Sequence, residues 1–113
     1  MAIIFDEQNK VFKLDTKTST YIFGIFTGNY LVHYYYGAPI PDTNVSKLRF
    51  RGHFASFSPD SPTSREKNFS PDVTPMEYST NGAGDFRISA FSVKNANGDT
   101  VTDLRYVSHK IYK

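Results

Sequence analysis

Hydrophobic and polar positions alternate through the first third of the chain in a way that reads as strands. The short runs IIFDE and KVFKLD flank a turn at Gln8-Asn9. TYIFGIFT and NYLVHYYY are rich in β-branched and aromatic residues and are split by Thr27-Gly28, a tight-turn signal. In NYLVHYYY the two-residue period puts Leu31, His33 and Tyr35 on one side and Tyr30, Val32, Tyr34 and Tyr36 on the other. Both sides are largely apolar, so this strand is expected to be covered on both faces. From Gly84 the β pattern returns. DFRISAFSVKN leads into Asn97-Gly98, where both turn positions favour φ > 0, and DTVTDLRYVSHKIY is expected to come back as the partner strand. Val101, Leu104, Tyr106 and Ile111 do not keep one parity, which predicts a bulge near Tyr106-Val107. No stretch carries the period of a three-turn helix, and there is no internal repeat. The pattern predicts an all-β chain.

All six prolines lie between Pro39 and Pro75, in a stretch also rich in Gly, Ser, Asn and Asp. One short strand is expected around Leu48 to Phe50 and another around His53 to Phe57, with loop elsewhere. A loop this long in a compact domain is expected to be either functional or disordered. At 113 residues the chain is one small domain or part of a larger one.

Composition narrows the partners. The net charge is +2, and the 13 Lys and Arg are dispersed, so there is no basic stripe for nucleic acid. There is no cysteine, which excludes a disulfide scaffold and a thiolate metal site. The N-terminus lacks a secretory signal pattern, and no apolar run approaches the ~20 residues of a membrane span. A cytoplasmic protein without a membrane partner is the expectation.

Several constellations could carry chemistry. Glu77 and Asp85, with Asp72 near, could be a pair of hydrolytic carboxylates, but loop acids more often cap turns. GAGDFR has a glycine-rich turn before Asp85 and Arg87. It lacks the Lys-Ser/Thr of a phosphate loop, and no helix follows. Gly82 and Gly84 are expected to permit a tight turn, and Asp85 and Arg87 to make charge-assisted hydrogen bonds with each other's neighbours. His33, His53 and His109 fit no metal-ligand spacing, and His33 and His109 read as strand residues. The tyrosines from Tyr30 to Tyr36 could stack on sugars, although core or interface packing is the commoner use.

The segment FSPDVTPMEYSTNGAGDFR and the tail DLRYVSHKIYK resemble the start of bacterial α-galactosidases of glycoside hydrolase family 36. Such members carry F-S-x-D-T-x-x-x-E-Y-P-x-x-G-x-G-D-F/Y-R and, after a hairpin, V-x-D-L-R-Y-x-x-H-x-I-Y. The matches are Phe69, Ser70, Asp72, Glu77, Tyr78, Gly82, Gly84, Asp85, Phe86, Arg87, then Val101, Asp103, Leu104, Arg105, Tyr106, His109, Ile111 and Tyr112. The opening residues up to Gly37 also look like that start.

The resemblance implies the N-terminal part of a large antiparallel β-sandwich (supersandwich), with the catalytic (β/α)8 barrel absent from the chain. Both catalytic aspartates would lie on that barrel, so no catalytic residue is expected among these 113. The parent would hydrolyse terminal α-galactosyl residues of melibiose- and raffinose-type oligosaccharides with retention, without metal or cofactor. This chain would serve barrel packing and a homotetramer. A loop arginine of the family corresponds to Arg65, which would reach a neighbouring subunit's substrate. Its acidic partner is expected where Gly52, His53 and Phe54 stand, leaving His53 as the substitute. Glu77, Tyr78, Gly82, Gly84, Asp85, Arg87, Asp103, Arg105 and Tyr106 would be structural. Two rival readings are a free-standing lectin-like carbohydrate-binding sandwich and a ligand-free interaction subunit. The chain's end at Lys113 straight after an expected strand, with no closing turn chemistry, reads as a truncation.

Overall fold

The computed structural model describes residues 2–48 and 69–112. Four strands form an antiparallel meander in sequence order: β1 (Ala2–Asp6), β2 (Val11–Asp15), β3 (Thr20–Ile25) and β4 (Leu31–Gly37). Side-chain oxygens close the first two turns. Asp6 Oδ1 accepts the backbone N–H groups of Gln8 and Asn9, both at 3.0 Å. Thr16 Oγ1 accepts those of Thr18 and Ser19 at 3.2 and 2.9 Å. Such oxygens replace a backbone acceptor where the chain reverses. The third reversal is a 3-10 turn over Thr27–Asn29, with Gly28 at φ 70° and Asn29 at φ 63°.

The first face of the sheet holds the core. Val11, Ile22, Val32 and Tyr34 pack together with Val45, and Phe26, Tyr35 and Ile40 close the rim. Each fully buried Val or Ile contributes roughly 1.5–3 kcal/mol relative to exposure. Residues 38–45 cross this face and are tied at both ends. Ile40 N–H donates to Thr20 Oγ1 at 3.3 Å, and the Thr43 hydroxyl donates to Asp6 Oδ2 at 2.6 Å. Lys13 is buried on the same face and pairs with Asp15 at 2.9 Å.

The second face carries an aromatic ladder. Phe5, Phe12 and Phe23 are in register, with ring centroids 4.4 and 4.8 Å apart. Residues 106–112 lie over this ladder. His109 sets its ring edge against Phe5 and Phe12 at 4.3 and 4.7 Å. A groove of about 450 Å³ remains between Ile3, Leu14 and Phe23 on the sheet and Ile111 and Tyr112 on the covering segment.

Three expectations need correction. A bulge does occur, but in β4: Phe23 pairs with His33 and Ile22 with Tyr35, leaving Tyr34 as the extra residue. Tyr35 therefore joins the core side with Val32, while Tyr36 moves to the side of His33 and Tyr21. An extra residue resets the two-residue period beyond it. Tyr36 is 70% exposed, so β4 is not covered on both faces at its end. Second, residues 85–95 and 99–112 do not form paired strands, so His109 is not a strand residue and Tyr106-Val107 is no bulge. The Asn97-Gly98 turn is present: Gly98 N–H donates to Asn95 O at 2.9 Å, and Asn95 N–H to Asp99 O at 2.8 Å. Only Gly98 has positive φ, so this is not the two-residue turn expected. β propensity acts through partners and packing, and these residues bond mainly to loops. Third, Leu48 ends a 3-10 turn, Ser46–Leu48, rather than opening a strand. Phe50 and the expected strand over 53–57 lie outside the described residues.

Candidate functional site

Three polar knots hold the second half of the chain, two of them against the sheet or the 28–30 turn that leads into β4 and one within the second half itself, and they gather most of the residues singled out from the sequence. The first lies along β4. His33 N–H donates to Pro75 O at 2.8 Å, and Glu77 N–H donates to Leu31 O at 3.0 Å. Residues 75–77 thus extend the sheet past β4, with Val32 and Met76 bridged antiparallel. This fixes Glu77 over the second face. Its carboxylate accepts the Tyr21 hydroxyl at 2.7 and 2.6 Å and lies 3.4 Å from His33 Nδ1. Burial, and secondarily the adjoining carboxylate, push the Tyr21 phenol well above its ordinary range. Tyr78, next in sequence, is exposed.

The second knot is the GAGDFR turn. Gly82 and Gly84 have φ of 86° and 92°, a region that glycine enters without strain. A Cβ on Gly82 would lie 2.8 Å from Val101 Cγ2. Asp85 and Arg87 pair directly as a fork, Nε to Oδ1 at 2.9 Å and a terminal nitrogen to Oδ2 at 2.7 Å. That same nitrogen donates to Pro71 O at 2.8 Å and Thr74 O at 2.7 Å. Where the sequence leads one to expect bonds to each other's neighbours, the two side chains instead pair directly, and Arg87 reaches carbonyls of the 71–74 loop. Asp85 is buried, and it holds the Arg87 guanidinium even more firmly protonated. Ser70 O accepts Val73 N–H, Thr74 N–H and the Thr74 hydroxyl, which shapes the loop that Arg87 clasps.

The third knot is a second Asp-x-Arg pair, in which both nitrogens meet one carboxylate oxygen. Arg105 forks onto Asp103 Oδ2 at 2.9 and 2.7 Å and donates to Gly28 O at 2.9 Å. Its guanidinium stacks over the Tyr30 ring, 4.5 Å from the centroid. The Tyr30 hydroxyl donates to Asp103 Oδ1 at 2.8 Å and accepts from Arg105 at 2.9 Å. Burial, then the bond to Asp103, push the Tyr30 phenol up to about 12. Tyr106 N–H donates to Asn29 O at 2.7 Å, and Tyr106 OH lies 2.8 Å from His109 Nδ1.

The carboxylates of these knots are engaged within the chain. Asp85 and Asp103 are each held by a fork, and Glu77 accepts a phenol. Arg65 and His53 lie outside the described residues. Sequence reasoning missed Tyr21, Tyr30 and the Gly28-Asn29 turn as partners of these motifs. The signal available was the apolar setting of two tyrosines, each of which requires a hydroxyl partner when buried.

The sequence profile of the glycosyl hydrolase family 36 N-terminal domain matches residues 29–113. The chain belongs to this family. Alpha-galactosidase AgaA of Geobacillus stearothermophilus is 37% identical over 113 residues, which is 100% of this chain and 15% of that protein. The crystal structure of the family 36 alpha-galactosidase AgaB from the same organism superposes with a TM-score of 0.82 at 39% identity, covering 100% of this chain and 15% of that one. A variant of AgaA crystallised in complex with raffinose gives a TM-score of 0.76 at 37% identity, over 89% of this chain and 14% of the other. The chain therefore spans about 15% of the length of the relatives it matches. The all-β fold is the one this family's N-terminal domain has. Among the described residues, no helix is long and apolar enough to cross a membrane.

Proposed function

We propose that the chain is the leading β-domain of an α-galactosidase that releases terminal α-galactosyl residues from raffinose-type oligosaccharides. One observation carries this reading: correspondence from end to end with alpha-galactosidases, at 37% identity over all 113 residues. The raffinose-bound relative supplies the substrate class. Hydrolysis proceeds with retention, through an aspartate nucleophile and an aspartate acid/base outside these residues, on a barrel that follows them. The domain packs on that barrel and helps to build a cytoplasmic tetramer. Arg65, with His53 in place of an acidic partner, reaches a neighbouring subunit's substrate. The three knots support a holding role, since each spends its charges inside the domain.

The test is activity in protein captured from the source organism with an antibody raised to residues 1–113. It should hydrolyse raffinose, with α-galactose the first anomer seen by proton NMR. The 113-residue chain alone should be inactive. Captured protein that leaves α-galactosides intact would sink the proposal, and β-galactose as the first anomer would overturn retention.

A further inference from the structure

Two Asn-Gly pairs lie in exposed turns of the second half, Asn81-Gly82 and Asn97-Gly98. Each has the elements of a spontaneous modification. The glycine amide nitrogen attacks the asparagine Cγ and gives up its proton to solvent base. The Cγ–Nδ2 bond breaks and ammonia departs, leaving a five-membered succinimide. Water then opens the ring at either carbonyl, giving aspartate or isoaspartate. Glycine allows the attack because no Cβ shields its nitrogen. Sequence alone treats the two pairs alike, but the structure separates them.

At Asn97 the parts needed for attack are engaged. Gly98 N–H, the nucleophile, donates to Asn95 O at 2.9 Å. Asn97 Oδ1 accepts Asp99 N–H at 3.2 Å, and Asn97 Nδ2 donates to the Asp99 carboxylate. The bonds from Asn95 and Asn97 keep that carboxylate ionised to lower pH than usual. A negative charge beside the carboxamide opposes the anionic tetrahedral intermediate. At Asn81 the nucleophile is open: among the described residues, nothing accepts a hydrogen bond from Gly82 N–H. Of the Asn81 carboxamide, Nδ2 donates to Thr100 Oγ1 at 2.8 Å, a neutral partner in place of the Asp99 carboxylate.

We infer that, of the two Asn-Gly pairs, Asn81 is the one that deamidates in the folded domain, and that the fold protects Asn97. The consequence is local and structural. Asn81 joins residues 79–82 to residues 100–102 through its side chain and through its carbonyl, which accepts Thr102 N–H at 2.9 Å. Aspartate at this position loses the Nδ2 donor to Thr100. Isoaspartate also lengthens the backbone by one methylene, just before the turn that sets the Asp85–Arg87 fork.

The experiment is timed incubation of the folded protein in mildly alkaline buffer, followed by peptide mapping. It reads the mass gain of amide-to-acid conversion at each asparagine, with enzymatic methylation to detect isoaspartate. A parallel sample is held in concentrated guanidinium. Asn81 should convert several-fold faster than Asn97 in the folded protein, and the two rates should converge in denaturant. Equal rates when folded, faster loss at Asn97, or conversion at neither would overturn the inference. So would the same ratio in denaturant, because the difference would then belong to the flanking sequence and not to the fold.

Discussion

Replacing Tyr30 by Phe removes one oxygen and leaves the ring. The ring keeps its stacking on Phe69, at 5.2 Å between centroids, and its place under the Arg105 guanidinium. Lost are the hydrogen bond donated to Asp103 and the one accepted from Arg105, at 2.8 and 2.9 Å. A bond to a charged partner is worth roughly 1.5–3 kcal/mol. Both partners are about one-third exposed, so water recovers part of the loss, and the net cost comes to ~2 kcal/mol. For a domain this small, that corresponds to roughly 10 °C in Tm. The variant also separates local from global effects. The Tyr106 N–H bond to Asn29 O depends on residues 103–105 being held at the 28–30 turn, so its hydrogen exchange should quicken more than that of β2 or β3 amides. The pH dependence has a definite sign. The folded Tyr30 phenol is raised to about 12, above the ordinary ~10 of an unfolded tyrosine. Its contribution is therefore complete below about 10 and fades as pH climbs through 12. The stability gap between wild type and Tyr30→Phe should close over that window. A variant within ~0.5 kcal/mol of wild type, with unchanged Tyr106 exchange, would refute the coupling.

Further outcomes follow from other contacts. Arg87→Lys cannot span Asp85 and the carbonyls of Pro71 and Thr74 together, so denaturant titration should show a loss of ~2–3 kcal/mol. Gly24→Ala places a Cβ 2.5 Å from Tyr34 Cε2 and 2.9 Å from Lys10 O, and should cost about 1–3 kcal/mol in thermal melts. Asp6 is held near a pKa of about 2 by bonds from Thr43 and Asn9. Its contribution is present above the ordinary carboxylate range and lost as pH falls towards 2, so Asp6→Asn should flatten the acid limb of the stability profile.

The meander was legible because each of its strands carries its own alternation and each turn its own chemistry. The bulge in β4 was not. Nothing in Val32-His33-Tyr34-Tyr35-Tyr36 distinguishes an extra residue, since every candidate is aromatic and fits either face. The choice is made by Ile22 and Phe23 on the neighbouring strand. Alternation after Gly84 announced strands, yet Ile88 is 98% exposed and Val107 88%. A strand preference that finds no ladder among the described residues remains only a preference. The Asp-x-Arg spacing suggested charge-assisted bonds at Asp85 and Arg87, but the direct pairing there and at Asp103 and Arg105 came from the folded chain. Their third partners were not legible either. Tyr30 lies 75 residues before Arg105, and only the folded chain brings the two together. The family motif, by contrast, was readable because it is a matter of residue order. It named most of the knot residues without showing what they clasp.

The measurement bearing most directly on the proposed role is the size of the native protein, read by blotting an extract of the source organism with an antibody raised to residues 1–113. A single band several times larger than the 12.8 kDa chain is expected, since the chain spans about 15% of its relatives. A single band at the size of the chain itself would contradict that role and leave the domain to act without a barrel.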